Sequence, residues 1–362
     1  MGHAGPGILR RMDADIEPRG CERRWAPRLV ELCAEIRSQA RAAMAAAVEA
    51  GDLDLAAKAV RQGAGDVTYA VDARVETAIE HWTERLARTQ ALSVLTEDTG
   101  WRHLGPDGAG GVRELEGFDH GGPRIALDPI DGTRNLMCDL RSAWTVVSFA
   151  PPGPGAPRLR DVSLGIVSEI PDTRGGRYRR LAAVRGEPCG FEERKLDDDV
   201  LVRARTLTAS DDARVDHGYF PIFRYSPDQR PALARIEADF SERLRTEEGA
   251  NLRHFFDDQY ISNAGQLFLL AIGTYRMIAD VRGWLAERLA HATVNSHPYD
   301  VAGAIFCARA AGCTVEGPLG AELDFELDVV TPVNFVGFAN SATARRIRPH
   351  LEAALRATPR AT

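Results

Sequence analysis

A short apolar strand, Arg124-Ile125-Ala126-Leu127, runs straight into Asp128-Pro129-Ile130-Asp131-Gly132-Thr133. This junction constrains the fold of the chain more tightly than any other stretch. The end of a strand is where a sheet covered by helices exposes its ligand site. Pro129 fixes one backbone angle and Gly132 permits a tight turn. Both carboxylates and the Ile130 carbonyl can therefore be aimed at one point. Three oxygens, with no sulfur and no histidine, favour Mg²⁺ or Mn²⁺ over zinc. A helix beginning after Gly132 would bring free amides and the Thr133 hydroxyl to the same point, a cradle for an anion such as phosphate. Against this stands the plain reading that Asp-Pro and Asp-Gly merely make turns.

The flanking patterns describe a layered α/β (α+β) chain rather than a bundle or a barrel. Leu29, Cys33, Ile36, Ala40, Met44 and Val48 fall on one helical face, which Gly51 closes. Val75, Ile79, Trp82 and Leu86 mark a second helix. Leu92 to Leu95 reads as a strand ending at Glu97-Asp98, and 105–122 as a Gly-rich surface loop. Residues 144–150 and 161–170 read as paired strands around the Pro/Gly turn at 151–157. Residues 266–272, 301–311 and 342–357 are expected to be helices, and 277–281 and 335–338 strands. Three segments follow: a flexible tail over 1–26, an N-terminal α+β half over 27–200 with most of the acidic candidates, and a C-terminal α/β half over 201–362. The last contains an irregular, partly helical insertion at 211–258. Its Tyr219, Phe220, Phe223 and Tyr225 are expected in a core or interface. The functional alternative is that they cap a pocket for a bulky substrate.

Charge and cysteine usage exclude several classes. The chain carries 52 Asp and Glu against 45 Lys and Arg, a net charge of -7, so no basic surface advertises itself to nucleic acid. Six cysteines lie scattered without a C-x-x-C pair, which fits neither a disulfide framework nor a zinc site. No apolar stretch has the length of a signal core or a membrane span. A reducing, cytoplasmic setting without a membrane partner is the expectation. Walker lysine, dinucleotide, HExxH and serine-elbow motifs are all missing.

The Asp128–Thr133 segment resembles the signature of the inositol monophosphatase family, within the lithium-sensitive, magnesium-dependent phosphatases. The family's second signature is similar to Pro298-Tyr299-Asp300-Val301-Ala302-Gly303, with Tyr299 in place of the usual Trp. Glu97-Asp98 resembles the acidic pair before the first signature, and Asp66, Asp72 and Glu76 match an earlier acidic segment. All four occur in the right order between about residues 29 and 355.

The resemblance implies a layered α-β-α-β-α sandwich of the inositol monophosphatase / fructose-1,6-bisphosphatase type. It implies two or three Mg²⁺ ions held by Glu97, Asp98, Asp128, the Ile130 carbonyl, Asp131 and Asp300. Gly132 and Thr133 would contact phosphate through their amides, and Asp66, with Thr133, would orient and deprotonate water beside Glu97. Arg134 stands where a small or polar residue is usual; it pairs with a second anionic group or is simply solvated. Asp280 falls near the family's substrate-hydroxyl contact, with a turn aspartate as the other reading. The implied reaction is Mg²⁺-dependent, Li⁺-inhibited hydrolysis of a phosphate monoester of a small polyol, sugar or sugar-derived metabolite, by a homodimer. The alternatives are a sugar bisphosphatase, a 3′-phosphonucleotide phosphatase, or an inactive metal- and phosphate-binding protein of the same fold.

Overall fold

The structure is a computed structural model that describes residues 21–51, 59–62, 67–291 and 293–360. Asp66 and residues 1–20 of the expected tail lie outside these. Residues 21–26 are not tail: the first described helix runs Cys21–Glu49 and buries Trp25 and Ala26. Its stripe continues through Leu29, Cys33, Ile36, Ala40 and Met44, so the apolar face begins one turn earlier than the sequence reading placed it.

Sixteen strands are described: β1 (Ala59–Gln62), β2 (Val67–Tyr69), β3 (Leu92–Thr96), β4 (Gly100–Pro106), β5 (Val112–Glu114), β6 (Arg124–Asp131), β7 (Ala143–Ala150), β8 (Leu164–Ile170), β9 (Arg177–Val184), β10 (Gly190–Lys195), β11 (Leu201–Thr206), β12 (Gly218–Tyr219), β13 (Phe255–Phe256), β14 (Met277–Asp280), β15 (Thr314–Glu316) and β16 (Phe335–Phe338). Nine of them form one sheet in the order β11-β10-β9-β8-β7-β6-β3-β4-β5, and three form a second, β14-β16-β15. The large sheet continues through β11, past the expected boundary at residue 200. The pairing of β10 with β11 extends it at that edge. Likewise, the loop expected over 105–122 contributes the edge strand β5, paired with β4.

Helices Cys21–Glu49 and Ala70–Ala87 cover one face of the large sheet, burying Leu29, Ile36, Val75 and Trp82 against Ile125, Leu127 and Phe149. Helices Asn263–Ala271 and Pro298–Ala310 cover the other face, where Phe268, Val301 and Ile305 meet Trp144, Val146 and Val167. These two helices also pack on the small sheet through Ile278, Val315 and Phe335. Helices Arg230–Glu248 and Ser341–Arg356 close its outer side around Phe240, Met277, Val336 and Ile347. The result is five layers in the order α-β-α-β-α. Because both faces of β6 and β7 are buried, those strands read as near-continuous apolar runs.

The helix Pro298–Ala310 lies unusually close to β7. A Cβ on Gly303 would sit 2.2 Å from the Val147 carbonyl oxygen. The small residues after Asp300 are thus a condition for bringing that aspartate down onto the sheet.

Candidate active site

Asp128 and Asp131 are three residues apart, so in an unbroken strand they would face opposite sides of the sheet. The register between β6 and β7 takes in an extra residue here: Asp128 pairs with Val146, and Asp131 with Trp144. This bulge turns both carboxylates to the face carrying helices Asn263–Ala271 and Pro298–Ala310. Pro129 suits a point where the ladder is interrupted, having no N–H to lose. Its carbonyl accepts the Thr145 hydroxyl at 2.9 Å. Asp128 Oδ1 accepts the Ile130 N–H at 3.0 Å, and the Thr133 hydroxyl donates to the Ile130 carbonyl at 2.8 Å. Gly132 has φ of 92°, the left-handed region that glycine allows, and opens the short helix Thr133–Met137.

Two further elements deliver the remaining carboxylates. Strands β3 and β6 run parallel with Leu95 level with Ala126, so continuing that register sets Glu97 beside Asp128. Asp300 occupies the first turn of Pro298–Ala310, where its Oδ2 accepts the His297 N–H at 2.8 Å. Its other oxygen, Oδ1, is buried and has no hydrogen-bond partner among the described residues.

A cavity of about 550 Å³ gathers these groups. Glu97, Asp98, Asp128, Ile130, Asp131, Gly132, Thr133, Arg134 and Asp300 all line it, as do Asp72 and Glu76 from helix Ala70–Ala87. Of the site residues expected from sequence, Asp66 lies outside the described residues and Asp280 is the exception. Asp280 is buried and does not line the cavity; it takes both the Nε (2.9 Å) and a terminal nitrogen (2.7 Å) of Arg282. Asn263 and the Ser296 hydroxyl complete its shell at 2.9 and 3.0 Å. No acceptor is left for a substrate hydroxyl. The residue that does reach the cavity is Arg282, which sequence reasoning passed over.

Sequence reasoning also missed what holds Asp131. Its Oδ2 accepts the Ser262 hydroxyl at 2.7 Å and the Ala264 N–H at 2.6 Å, at the start of helix Asn263–Ala271. The expected start at 266 falls one turn late. Ser262, which caps the helix by accepting the Gly265 N–H, was the available signal.

The electrostatics are those of crowded anions. Burial, then the charges of Asp131, Asp300 and Glu97, push the Asp128 carboxyl well above its ordinary range. Asp300 is likewise raised, first by burial and then by Asp131 and Glu97, against the relief given by the His297 N–H. Burial lifts Asp131 to about 6, although Ser262, the Ala264 and Asn263 amides and Arg282 pull the other way. Tyr299 is pushed up by burial and by Asp300, Asp128 and Glu97, and stays protonated. Such a set is unfavourable by itself and is relieved by a divalent cation. The donors are all oxygen and the Asp300 Oδ1 has no hydrogen-bond partner among the described residues, so the residues present fit Mg²⁺. Asp216, His217 and His254 also converge, with ligating atoms within 4.8 Å of one another, but they sit in the insertion and do not line this cavity.

No protein-family model matches the sequence, and no curated protein does either. Solved structures do match. A hypothetical protein from Pyrococcus horikoshii with similarities to inositol-1 monophosphatase superposes over 92% of this chain and 98% of its own, with TM-score 0.58 at 14% identity. This chain has the inositol monophosphatase fold. An inositol monophosphatase from Zymomonas mobilis matches 93% of this chain and 100% of its own at 14% identity, with TM-score 0.53. A candidate sedoheptulose-1,7-bisphosphatase from Toxoplasma gondii matches 96% and 99% at 13% identity, with TM-score 0.64. At such identities the likeness is one of fold. Among the described residues, no helix is long and apolar enough to cross a membrane.

Proposed function

We propose that this protein is a metal-dependent phosphatase, hydrolysing a phosphate monoester of a small sugar-derived or polyol metabolite. The observation that carries the reading is the convergence of Glu97, Asp128, Asp131 and Asp300, from three separate parts of the chain, on one cavity that also contains the Gly132–Thr133 turn. Glu97, Asp98, Asp128, the Ile130 carbonyl, Asp131 and Asp300 would hold Mg²⁺. Bound there, the ions would supply activation of water and stabilisation of the departing oxygen.

The chain's own groups account for the rest. The amides at Gly132 and Thr133 face an arriving phosphate with positive ends of peptide dipoles. Because the Thr133 hydroxyl gives its proton to the Ile130 carbonyl, its oxygen is left as an acceptor that can orient a water. Asp66, with Thr133, is the candidate for taking that water's proton. Arg282, held flat by Asp280, is a buried cation at the edge of the acidic set and offsets part of its repulsion.

Release of inorganic phosphate from a panel of phosphorylated metabolites tests the reading, with and without Mg²⁺ and Li⁺. Mg²⁺-dependent release that Li⁺ inhibits is expected, as is loss of at least a hundredfold in kcat for Asp128→Asn. Turnover undiminished in chelator would overturn the reading. A homodimer and a cytoplasmic setting complete the proposal, the first checked by light scattering and the second by fractionation.

A further inference from the structure

The insertion at 211–258 does more than build core. Its Phe220 is buried among Phe240, Ile236 and Met277, while Phe223 and Tyr225 line the carboxylate cavity. Near its two ends the chain meets itself. Strands β12 and β13 pair in parallel, with Gly218 level with Phe255 and Tyr219 with Phe256. One residue earlier on each side stand His217 and His254, where the His217 N–H donates to the His254 carbonyl at 3.0 Å. Level residues on neighbouring strands share a face. The two imidazole rings accordingly stack, 30° apart with centroids 4.3 Å from each other.

Asp216 joins the pair. Its Oδ1 accepts the N–H groups of Arg253 and His254, both at 2.8 Å, which fixes the carboxylate across the gap between the two segments. The His254 amide, and after it that of Arg253, hold this carboxyl down at about 2, so it is an anion wherever histidine is neutral. Its Oδ2 lies 3.8 Å from His217 Nε2. That is too long for a hydrogen bond. It is close to the roughly 3.4 Å that separates two ligands of a tetrahedral ion with bonds of about 2.1 Å. One ligating atom from each of the three residues lies within 4.8 Å of the others. Both histidines are exposed, so turning a ring about its last torsion closes the remaining gap without moving the backbone. His217 also has φ of 59°, a left-handed conformation uncommon outside glycine and of the kind that persists where a site fixes it. A terminal nitrogen of Arg253 faces Asp216 Oδ2 at 3.4 Å, but that contact is long and its side chain exposed, so it yields to a metal at little cost.

We propose that Asp216, His217 and His254 form a second metal site, separate from the acidic centre, that takes one divalent cation of the zinc class. Two imidazoles and a carboxylate, with a fourth position open to water, suit Zn²⁺ rather than Mg²⁺, which asks for oxygen. None of the three residues lines the carboxylate cavity. The cation ties the start of the insertion to its end across the helix Arg230–Glu248. It thereby clamps the loop that carries Phe223 and Tyr225 to the cavity. Its role is to hold structure, and the site stands whether or not the protein is a phosphatase.

The experiment is a calorimetric titration of the full chain with Zn²⁺ in excess Mg²⁺, on the parent protein, His254→Ala and Asp128→Asn. A zinc-binding event is expected that Asp128→Asn keeps and His254→Ala weakens by about tenfold or more, since even outer-shell partners of a metal are worth that much. In thermal melts at a hundredfold excess of Zn²⁺ over Kd, the parent should gain about 3 °C more than His254→Ala does. Nitrogen-15 NMR of the parent, which needs no variant to fold, should show the ring nitrogens of His217 and His254 shifting as zinc is added. Zinc binding unchanged in His254→Ala, or ring nitrogens that zinc leaves unmoved, overturns the site. Loss of all zinc binding in Asp128→Asn also overturns it, because the ion would then sit at the carboxylates.

Discussion

Asp131→Asn separates the two consequences of a crowded carboxylate set, one for stability and one for metal binding. The replacement is nearly isosteric, and its amide oxygen can keep the contacts from the Ser262 hydroxyl and the Ala264 N–H that Asp131 Oδ2 makes at 2.7 and 2.6 Å. What it removes is a negative charge beside Asp128 and Asp300. Burial raises the Asp131 carboxyl to about 6 in the metal-free protein. The folded state therefore holds that proton more tightly than the unfolded chain, and stability falls as pH rises from about 4 to about 6 and is level above. The ceiling on this loss is about 3 kcal/mol at neutral pH. In chelator at pH 7.5 the variant should thus be the more stable protein by roughly 1–3 kcal/mol, or about 1–4 °C for a chain this long. The order should reverse with saturating Mg²⁺, since a hundredfold excess over Kd stabilises only a protein that binds it, by about 2.7 kcal/mol. Thermal melts of both proteins in chelator and in Mg²⁺, at pH 5.5 and 7.5, decide the matter. A variant less stable than the parent in chelator at pH 7.5, with melts flat in pH for both, would refute the reasoning.

Other substitutions test the scaffold. Gly303→Ala drives a methyl to 2.2 Å from the Val147 carbonyl, so the helix carrying Asp300 must lift; a loss of about 1–3 kcal/mol in urea unfolding is expected, together with weaker Mg²⁺ binding. Gly132→Ala meets both a φ of 92° and the Ser262 Cβ at 3.0 Å, and should cost about 1–3 kcal/mol by the same assay. Arg282→Leu strands the buried Asp280 carboxylate, which burial would raise but which Arg282 now holds low. It should destabilise by about 3–5 kcal/mol, and Asp280→Asn in the same chain should recover part of that in denaturant melts.

Much of this architecture can be read from the chain because both faces of the central strands are buried, which leaves apolar runs such as Ile125–Leu127, Val146–Val147 and Ile166–Val167 in β6, β7 and β8. The same burial hides nothing about Asp128 and Asp131: two acids around a proline at the end of such a strand stand out. Their shared orientation depends on a bulge against Val146 and Trp144 that no local pattern announces. The hairpin strands β9 to β11 were illegible for a different reason. Charge lies on both faces there, as where the buried Glu192 pairs with Arg180, and the alternation that marks a strand is lost. Asp280 and Arg282 show the limit most sharply. Two residues apart, either could face the cavity, and only the tertiary contacts of Asn263 and Ser296 draw the aspartate inward. That Phe223 and Tyr225 reach the cavity was not legible either, because their position depends on a pairing with Ala279 more than fifty residues away.

The most direct test of the central claim is anomalous scattering from crystals soaked in Mn²⁺, collected on the parent protein and on Asp300→Asn. Peaks enclosed by Glu97, Asp128, Asp131 and Asp300, at least one of them lost in the variant, are the predicted result. A clean map at those carboxylates, or manganese found only at Asp216, His217 and His254, would contradict it.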